Sequence, residues 1–581
     1  MDEKKDHKWG FSDSNFMIHS ETNEIEMTGD RYLICGYKMP NFLNFIRDEF
    51  KLEKLETQSP LKEVKYSYTR SKLDAESNSD KKEKIVLYLS ENKIEFSIDN
   101  KERLIHSHGQ TSAYELHDIL YIGEGINMVD LVVFPKSKNH IESIIKLAND
   151  HHCCLVPYGG GTNVSHALLI PKTETRIIIS VDMRNMNKMI VFNKRDNFAE
   201  FEAGITGKRM EELLNDKGYT SGHEPDSLEF STLGGWVSTN ASGMKKTKYG
   251  NIEDIVINYS LHTPSGTIKN FIDTPRNSHG SQLDSLIFGS EGNFGIISTV
   301  KIKIHMLPQK KLYQSLLFRD FKTGKEFLEN LNINYSELIP ASIRLVDNLQ
   351  FRFALALKPK PTLFKKVINW LKDQYINNYC GFENNRMVLC TITYEGKEED
   401  IKYKMQKLEN LALEHDGVIG GSENGKKGYQ LTYAIAYIRD LLSSLYIIGE
   451  TFETSVSWKN IDNMLFNVEK ELRNFNNYNT LLTYRITQTY RTGVCIYFML
   501  GMYHKNIENV SLTFHNIEDK LRKTIIKYGG SISHHHGIGK HRSKYIKEKT
   551  NIQNTSIIKT VKSTIDPNNI FAISNNILNI E

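Results

Sequence analysis

Proline and cysteine are both scarce in this chain, at 13 and six among 581 residues, and charge of either sign is nearly balanced, with 74 Lys and Arg against 70 Asp and Glu. Each shortage excludes something. Low proline beside 39% hydrophobic and 25% charged residues excludes a disordered or collagen-like chain. A net charge of only +4 lacks the basic field of a nucleic-acid binder, so no nucleic-acid partner is expected. Cys35, Cys153, Cys154, Cys380, Cys390 and Cys495 contain neither a CxxC pair nor zinc-finger spacing, which points to a reduced compartment and to no metal. No run reaches the roughly 18 apolar residues of a membrane-spanning helix. The start, Met1 to Trp9, is too charged for a signal peptide, so a soluble or peripheral protein is expected. The last residues, Leu578-Asn579-Ile580-Glu581, are not a Ser-Lys-Leu peroxisomal address. The length exceeds what a single core sustains, so two or more domains are expected.

What is present is an alternation of short apolar runs and helical periodicity. Residues up to about 110 are polar, and the Lys/Glu/Ser/Asp-rich patch at 72–84 reads as an exposed loop. Asp130-Leu131-Val132-Val133-Phe134-Pro135 reads as a strand ended by proline, and residues 141–148 follow with helical spacing. Cys154-Leu155-Val156-Pro157 is the next strand, and strands or helices continue at 177–181, 198–203, 210–217 and 286–304. After Pro308 longer mixed segments take over, including an amphipathic stretch at 363–376; residues 513–528 read as a helix broken by Gly529-Gly530. The chain carries no internal repeat.

Several segments could carry chemistry. Gly159-Gly160-Gly161 after a strand leaves backbone N–H groups open to a pyrophosphate, with Thr162 and Asn163 as side-chain donors, although such a triplet is by itself more often a plain turn. It is not the GxGxxG of a Rossmann site. Gly- and Ser/Thr-rich turns recur at 222–227, 231–236, 239–243 and 289–297, as a large cofactor approached by many neutral donors would require. Arg344 sits among Ile343, Leu345 and Val346, where a buried guanidinium needs an acceptor; a structural salt bridge is the bland alternative. For Arg439 the bland alternative is an ion pair with Asp440. Tyr497, in Val494-Cys495-Ile496-Tyr497-Phe498-Met499, reads by pattern as a packed core residue. His534, His535 and His536 on an extended strand would alternate in direction, which speaks against a metal site and for hydrogen bonding to an anion or a ring.

The ordered set Pro157 to Asn163, Gly222-His223-Glu224-Pro225-Asp226-Ser227, Gly243-Met244-Lys245-Lys246, Tyr249-Gly250-Asn251-Ile252-Glu253-Asp254 and Gly289-Ser290-Glu291-Gly292 resembles the FAD-binding half of the vanillyl-alcohol-oxidase superfamily. Trp9-Gly10-Phe11-Ser12-Asp13, Ser107 to Thr111, Pro340 to Leu345, Ala436 to Asp440, Thr487-Gln488-Thr489-Tyr490, Cys495 to Phe498 and Ser533 to Gly539 extend the likeness over nearly the whole chain. Within the superfamily they resemble the alkyldihydroxyacetonephosphate synthase family. The implied fold is α+β: a two-subdomain FAD-binding domain at 125–307, a mixed α/β substrate-binding cap domain at 308–510, an N-terminal helical extension at 1–124 and a C-terminal helical segment with the histidine loop at 511–581.

The resemblance implies FAD, non-covalently bound, on four segments: Pro157, Tyr158, Gly159, Gly160, Gly161, Thr162 and Asn163; Asp226, Ser227, Leu228, Glu229, Phe230, Ser231 and Thr232; Thr239, Asn240, Ala241 and Ser242; and Glu291, Gly292, Asn293, Phe294, Gly295, Ile296 and Ile297. It implies Tyr497 as acid/base, Arg344, His534, His535 and His536 as further active-site groups, and Arg439 on the substrate phosphate. A phenol with a reference pKa of roughly 10 needs a cationic neighbour to act near neutrality; the histidines or an arginine are the candidates. The implied reaction replaces the acyl chain of acyl-dihydroxyacetone phosphate by a long-chain fatty alcohol through a flavin N5 adduct, without net redox. A homodimer, peripheral membrane contact and a peroxisomal location are implied too, with the cytoplasm as the alternative. One departure is Arg491, where the family motif continues with an acidic residue. Leu363, Phe364, Val367, Ile368 and Leu371 form an apolar stripe beside Lys365, Lys366 and Lys372, a core face or a membrane contact. The rival readings are an FAD-dependent 2-hydroxyacid dehydrogenase or oxidase and a non-catalytic flavin-binding scaffold. His166, just past the glycine loop, is a candidate point of covalent flavin attachment, without support from the resemblance.

Overall fold

The computed structural model describes residues 9–61, 79–110, 112–123, 127–171, 173–269, 274–275, 278, 283–361, 370 and 374–579. The chain forms two compact units, each from separated stretches: Leu61–Gly243, Tyr249–Leu307 and His535–Glu581 make one, and Met1–Pro60, Met244–Lys248 and Pro308–His534 make the other.

In the first unit Leu131–Phe134 is buried along its whole length, as expected of a strand covered on both faces. It belongs to a four-stranded sheet ordered Glu95–Ser97, Leu131–Phe134, Ile178–Asp182, Cys154–Tyr158, whose last three strands are parallel. The crossover helix Lys138–Asp150 starts where the Ser137 hydroxyl accepts the His140 amide at 3.2 Å. Its Ile141, Ile144 and Ala148 join Val133 and Ile179 in one core, which Ile570 and Phe571 from the chain's end complete. An antiparallel five-stranded sheet follows, ordered Gly266–Lys269, Val256–Thr263, Ile296–Lys303, Phe198–Glu202, Met189–Asn193, around Phe201, Trp236 and Val300.

The second unit is built on a seven-stranded antiparallel sheet. In chain order its strands are β1 (Lys310–Phe318), β2 (Ser342–Val346), β3 (Val388–Gly396), β4 (Val418–Ile419), β5 (Ile447–Ser457), β6 (Asn479–Tyr490) and β7 (Gly493–Tyr503), and they lie side by side as β4-β1-β3-β2-β6-β7-β5. A two-residue turn, Arg491 and Thr492, joins β6 to β7. Within β6, Ile486 pairs with Ile496 and Gln488 with Cys495, which leaves Thr487 as an extra residue in a β-bulge. The N-terminal stretch adds a small sheet of Phe16–His19, Glu24–Met27 and Lys38–Met39 to the helices expected there. Helix Phe42–Glu49 docks Phe42 edge-on to Phe353, ring centroids 5.5 Å apart, in a cluster with Ile438 and Leu441.

The expected strands and helices stand at Ile178–Asp182, Phe198–Glu202, Gly207–Asn215 and Val510–Lys527. The patch at 72–84 departs from expectation. Its first part, 72–78, lies outside the described residues, but Ser79–Glu91 is a helix, because Ile85 and Leu89 turn inward to the core of the four-stranded sheet. Of the apolar stripe, Leu363, Phe364, Val367, Ile368 and Leu371 lie outside the described residues, as does Thr111.

Phe42→Ala, which empties a fully buried site, should cost about 3–5 kcal/mol. A lower denaturant midpoint than the parent's checks this, with the exposed Tyr37→Ala as the unaffected control.

Candidate active site

The four glycine- and hydroxyl-rich segments lie within the first unit, and close contacts knit them together. A Cβ on Gly160 would stand 2.0 Å from the carbonyl oxygen of Phe230, so only glycine lets the first segment reach the second. Thr232 closes the second segment by capping helix Leu233–Thr239, its hydroxyl accepting from the Gly235 amide at 3.3 Å. Asn240 ends that helix in the left-handed region, φ +51°, and its buried Oδ1 has no hydrogen-bond partner among the described residues. The Glu291 amide of the fourth segment donates to the carbonyl of Ser238, the residue just before the third, at 2.7 Å, and Gly292 packs on Pro157 of the first.

The side chains divide by direction. Tyr158 turns its ring into the core against His106, centroids 4.3 Å apart, and burial pushes its phenol well up, so its backbone is what the segment offers. Phe294, Ile296 and Ile297 are buried apolar residues, whereas Asp226 is exposed. Ser231 accepts from Trp236 Nε1 at 2.8 Å, and Ser242 donates to Asn251 Oδ1 at 2.5 Å.

His535 and His536, ring centroids 4.5 Å apart, begin the last stretch of this unit. Residues 534–536 lie in a bend, not the extended strand expected, so strict alternation does not apply. The buried Glu291 carboxylate accepts the amides of Ile538 (2.9 Å) and Gly539 (2.9 and 3.0 Å). Burial pushes this carboxyl up, and those amides pull it back. Gly539, φ +52°, would place a Cβ 1.9 Å from Ser165 O. His223, buried beside Trp236, is pushed down to about 3 by burial and then by His535. Lys540, which sequence reasoning missed, donates to Asn575 Oδ1 at 2.7 Å and Ala167 O at 3.2 Å. Burial pushes its ammonium down to about 7, against the pull of Glu291.

In the second unit the sheet assembles the other groups. Val346, Arg485, Tyr497 and Glu453 are cross-strand partners in one row over β2, β6, β7 and β5. Arg344, two residues from Val346, shares their face. Tyr497 donates its hydroxyl to Thr451 Oγ1 at 3.1 Å, and the Arg485 guanidinium carbon lies 4.4 Å from its ring centroid. Glu453, 2% exposed, accepts from Ser533 Oγ at 2.7 Å and from the His534 amide. The His534 ring meets the Tyr490 hydroxyl at Nε2, 2.5 Å, and Lys246 Nζ sits 3.1 Å from the Tyr490 ring centroid. Arg344 is buried, its guanidinium carbon 5.7 Å from the Tyr429 ring centroid. Arg439, on helix Ile438–Ser444, stands 3.9 Å from Asp440 Oδ1. Arg491 is exposed at the hairpin turn. Arg485, Glu453, Tyr490 and Lys246 escaped the sequence reading, though Lys246 and Tyr490 lay within quoted motifs.

Two family models match the chain. Residues 129–271 match the FAD binding domain family, and 307–573 match the C-terminal domain of FAD linked oxidases. The alkyldihydroxyacetonephosphate synthase of Caenorhabditis elegans is 39% identical over 98% of this chain and 94% of its own length. The chain belongs to the alkyldihydroxyacetonephosphate synthase family. The Dictyostelium discoideum synthase is 31% identical over 81% of this chain and 77% of its own. A solved alkyldihydroxyacetonephosphate synthase superposes with a TM-score of 0.82 at 27% identity, covering 98% of both chains. p-Cresol methylhydroxylase, at 13% identity and a TM-score of 0.63, shares the fold. This member of the synthase family is thus an enzyme with FAD as its cofactor. Its first unit fits that group: the backbone approach at Gly160 and the buried Asn240 oxygen, without a described partner, are what a polar cofactor held by loops requires.

Lys540 makes stability depend on pH. With its folded pKa below the ordinary lysine value of 10.5, its contribution is fully present above that value and lost as pH falls through about 7. Lys540→Met should therefore gain stability over the parent at about pH 6, and the difference should shrink at about pH 9. Denaturant midpoints at both pH values check this.

Proposed function

We propose that this chain forms the ether bond of ether lipids: it exchanges the acyl chain of acyl-dihydroxyacetone phosphate for a long-chain fatty alcohol. The bond from the dihydroxyacetone-phosphate carbon to the ester oxygen breaks, and the fatty acid leaves with both its oxygens. The alcohol oxygen bonds to the same carbon and gives up its proton, so no net oxidation occurs. Bound FAD supplies nucleophilic catalysis.

The residues take the following roles. Tyr497 moves the proton, Arg439 holds the phosphate through its planar fork, and Arg344, His534, His535 and His536 position the reacting groups. The observation that carries the reading is Tyr497 itself. A tyrosine read by pattern as core packing lies between a guanidinium and a buried carboxylate in one cross-strand row. The four segments of the first unit hold FAD, and they hold it non-covalently. His166, the candidate attachment point, has its Nε2 3.0 Å from both Ser112 Oγ and Glu115 Oε2.

Both lipid substrates reside in bilayers, and peripheral membrane contact is part of the proposal. Trp370 and Tyr379, near the apolar stripe in sequence and 59% and 81% exposed, support such contact. No helix among the described residues is long and apolar enough to cross a membrane. A homodimer and a peroxisomal location complete the reading by analogy with the family.

The purified protein should be yellow and should incorporate labelled hexadecanol into alkyl-dihydroxyacetone phosphate. Tyr497→Phe should lower that rate by about 10²–10⁴-fold with flavin retained. Dye reduction with lactate and no incorporation would overturn the assignment in favour of a hydroxyacid dehydrogenase.

A further inference from the structure

We infer that Arg485 is a positioning residue for this reaction: stacked on the Tyr497 ring, it holds the phenol in place and favours its ionised form. The inference rests on the acid/base role proposed for Tyr497.

The geometry comes from strand register. Counting back from the Arg491–Thr492 turn, Tyr490 pairs with Gly493, Thr489 with Val494 and Gln488 with Cys495. Continued without interruption, that register would set Ile486 opposite Tyr497. The extra residue Thr487 shifts it by one, so that Ile486 meets Ile496 and Arg485 meets Tyr497. A one-residue slip exchanges the faces of a strand. The bulge therefore replaces an aliphatic side chain beside the phenol by a guanidinium, whose carbon lies 4.4 Å from the ring centroid.

A cation over an aromatic face is attracted to it, and the attraction grows when the ring carries the negative charge of a phenolate. Charged and titratable groups on or against this side of the sheet include Arg485 and Tyr490 on β6, Cys495 on β7, Glu453 on β5, Arg344 on β2, Glu395 on β3, Asp347 just past β2, His534 from its loop, and Lys246. Glu453 acts in the opposite sense to Arg485, but its carboxylate is occupied by donors, the Ser533 hydroxyl and the His534 amide. Asp347 accepts from the Thr483 hydroxyl and from the Gln350 and Tyr484 amides. The neighbouring Cys495 reports the same mixture. Burial and then Glu453 push its thiol up, while the Thr487 hydroxyl, then Arg485 and Lys246, pull it down. Of these groups, Arg485 is the cation that stacks on the Tyr497 ring.

The test compares full-length holoenzymes at equal FAD content: parent, Arg485→Lys, Arg485→Gln and Tyr497→Phe, with kcat/KM for hexadecanol incorporation followed against pH. Arg485→Gln is expected to move the ascending limb of the profile to higher pH by about one unit, with about tenfold loss near neutrality that alkaline pH partly restores. Arg485→Lys should keep the parental limb more nearly. The ultraviolet tyrosinate absorbance that Tyr497→Phe removes should appear at higher pH in Arg485→Gln than in the parent. An unmoved limb in Arg485→Gln, whether activity falls uniformly or persists, would overturn the inference. If Arg485→Gln does not fold, Arg485→Lys decides: a limb and tyrosinate onset unlike the parent's despite the retained charge would overturn it as well, and parental ones support it. Should Tyr497→Phe itself keep the parental rate and limb, the acid/base reading falls first and this inference with it.

Discussion

One extra residue in one strand sets which side chains meet at the centre of the second unit's sheet. Thr487 bulges from β6, and beyond it every side chain of β6 faces a different partner on β7 than an unbroken ladder would supply. Strand pairing is cooperative, so the shift is held by the backbone hydrogen bonds on both sides of the bulge. Its outcome is a row in which a cation, a phenol and a carboxylate alternate over three adjacent strands, with β2 contributing Arg344 alongside. The same row reaches His534. Glu453 receives the Ser533 hydroxyl and the His534 amide, and the Tyr490 hydroxyl, just before the turn, holds the His534 ring.

The first unit solves its positioning problem with a buried charge in place of a register. The Glu291 carboxylate is out of water yet accepts the amides of Ile538 and Gly539, and an amide left unmet there would cost about 1–3 kcal/mol. Gly539 closes the arrangement because its backbone lies where no side chain fits. Lys540 then draws Asn575 and the Ala167 carbonyl onto the same loop. The price of such a design is a pH-sensitive lysine, since a buried ammonium is stable only while its surroundings outweigh its desolvation.

How much of this could be read beforehand follows from the range of the signal. Buried strands such as Leu131–Phe134 and helices such as Val510–Lys527 announce themselves through a local period of side chains, and both stand where periodicity puts them. The helix at Ser79–Glu91 was hidden because only Ile85 and Leu89 mark its inner face within a long polar stretch. Arg485 was hidden for another reason. In Thr483-Tyr484-Arg485-Ile486 it looks like any exposed position of an alternating strand, and no local pattern announces a bulge two residues later. Arg491, where the family motif continues with an acidic residue, lies exposed in the turn between β6 and β7.

By itself, then, the sequence determined the family, the contiguous glycine- and hydroxyl-rich stretches proposed to hold FAD, and the residue types available for chemistry. These follow from short-range backbone requirements that a few neighbouring residues satisfy together. Only the tertiary structure decided which side chains stand beside which. Tyr497 beside Arg485, Glu453 beside His534 and Glu291 beneath Gly539 each join residues from 12 to 248 positions apart. Strand register, a bulge and a buried carboxylate bring them together, and none of these is a property of any local stretch of the chain.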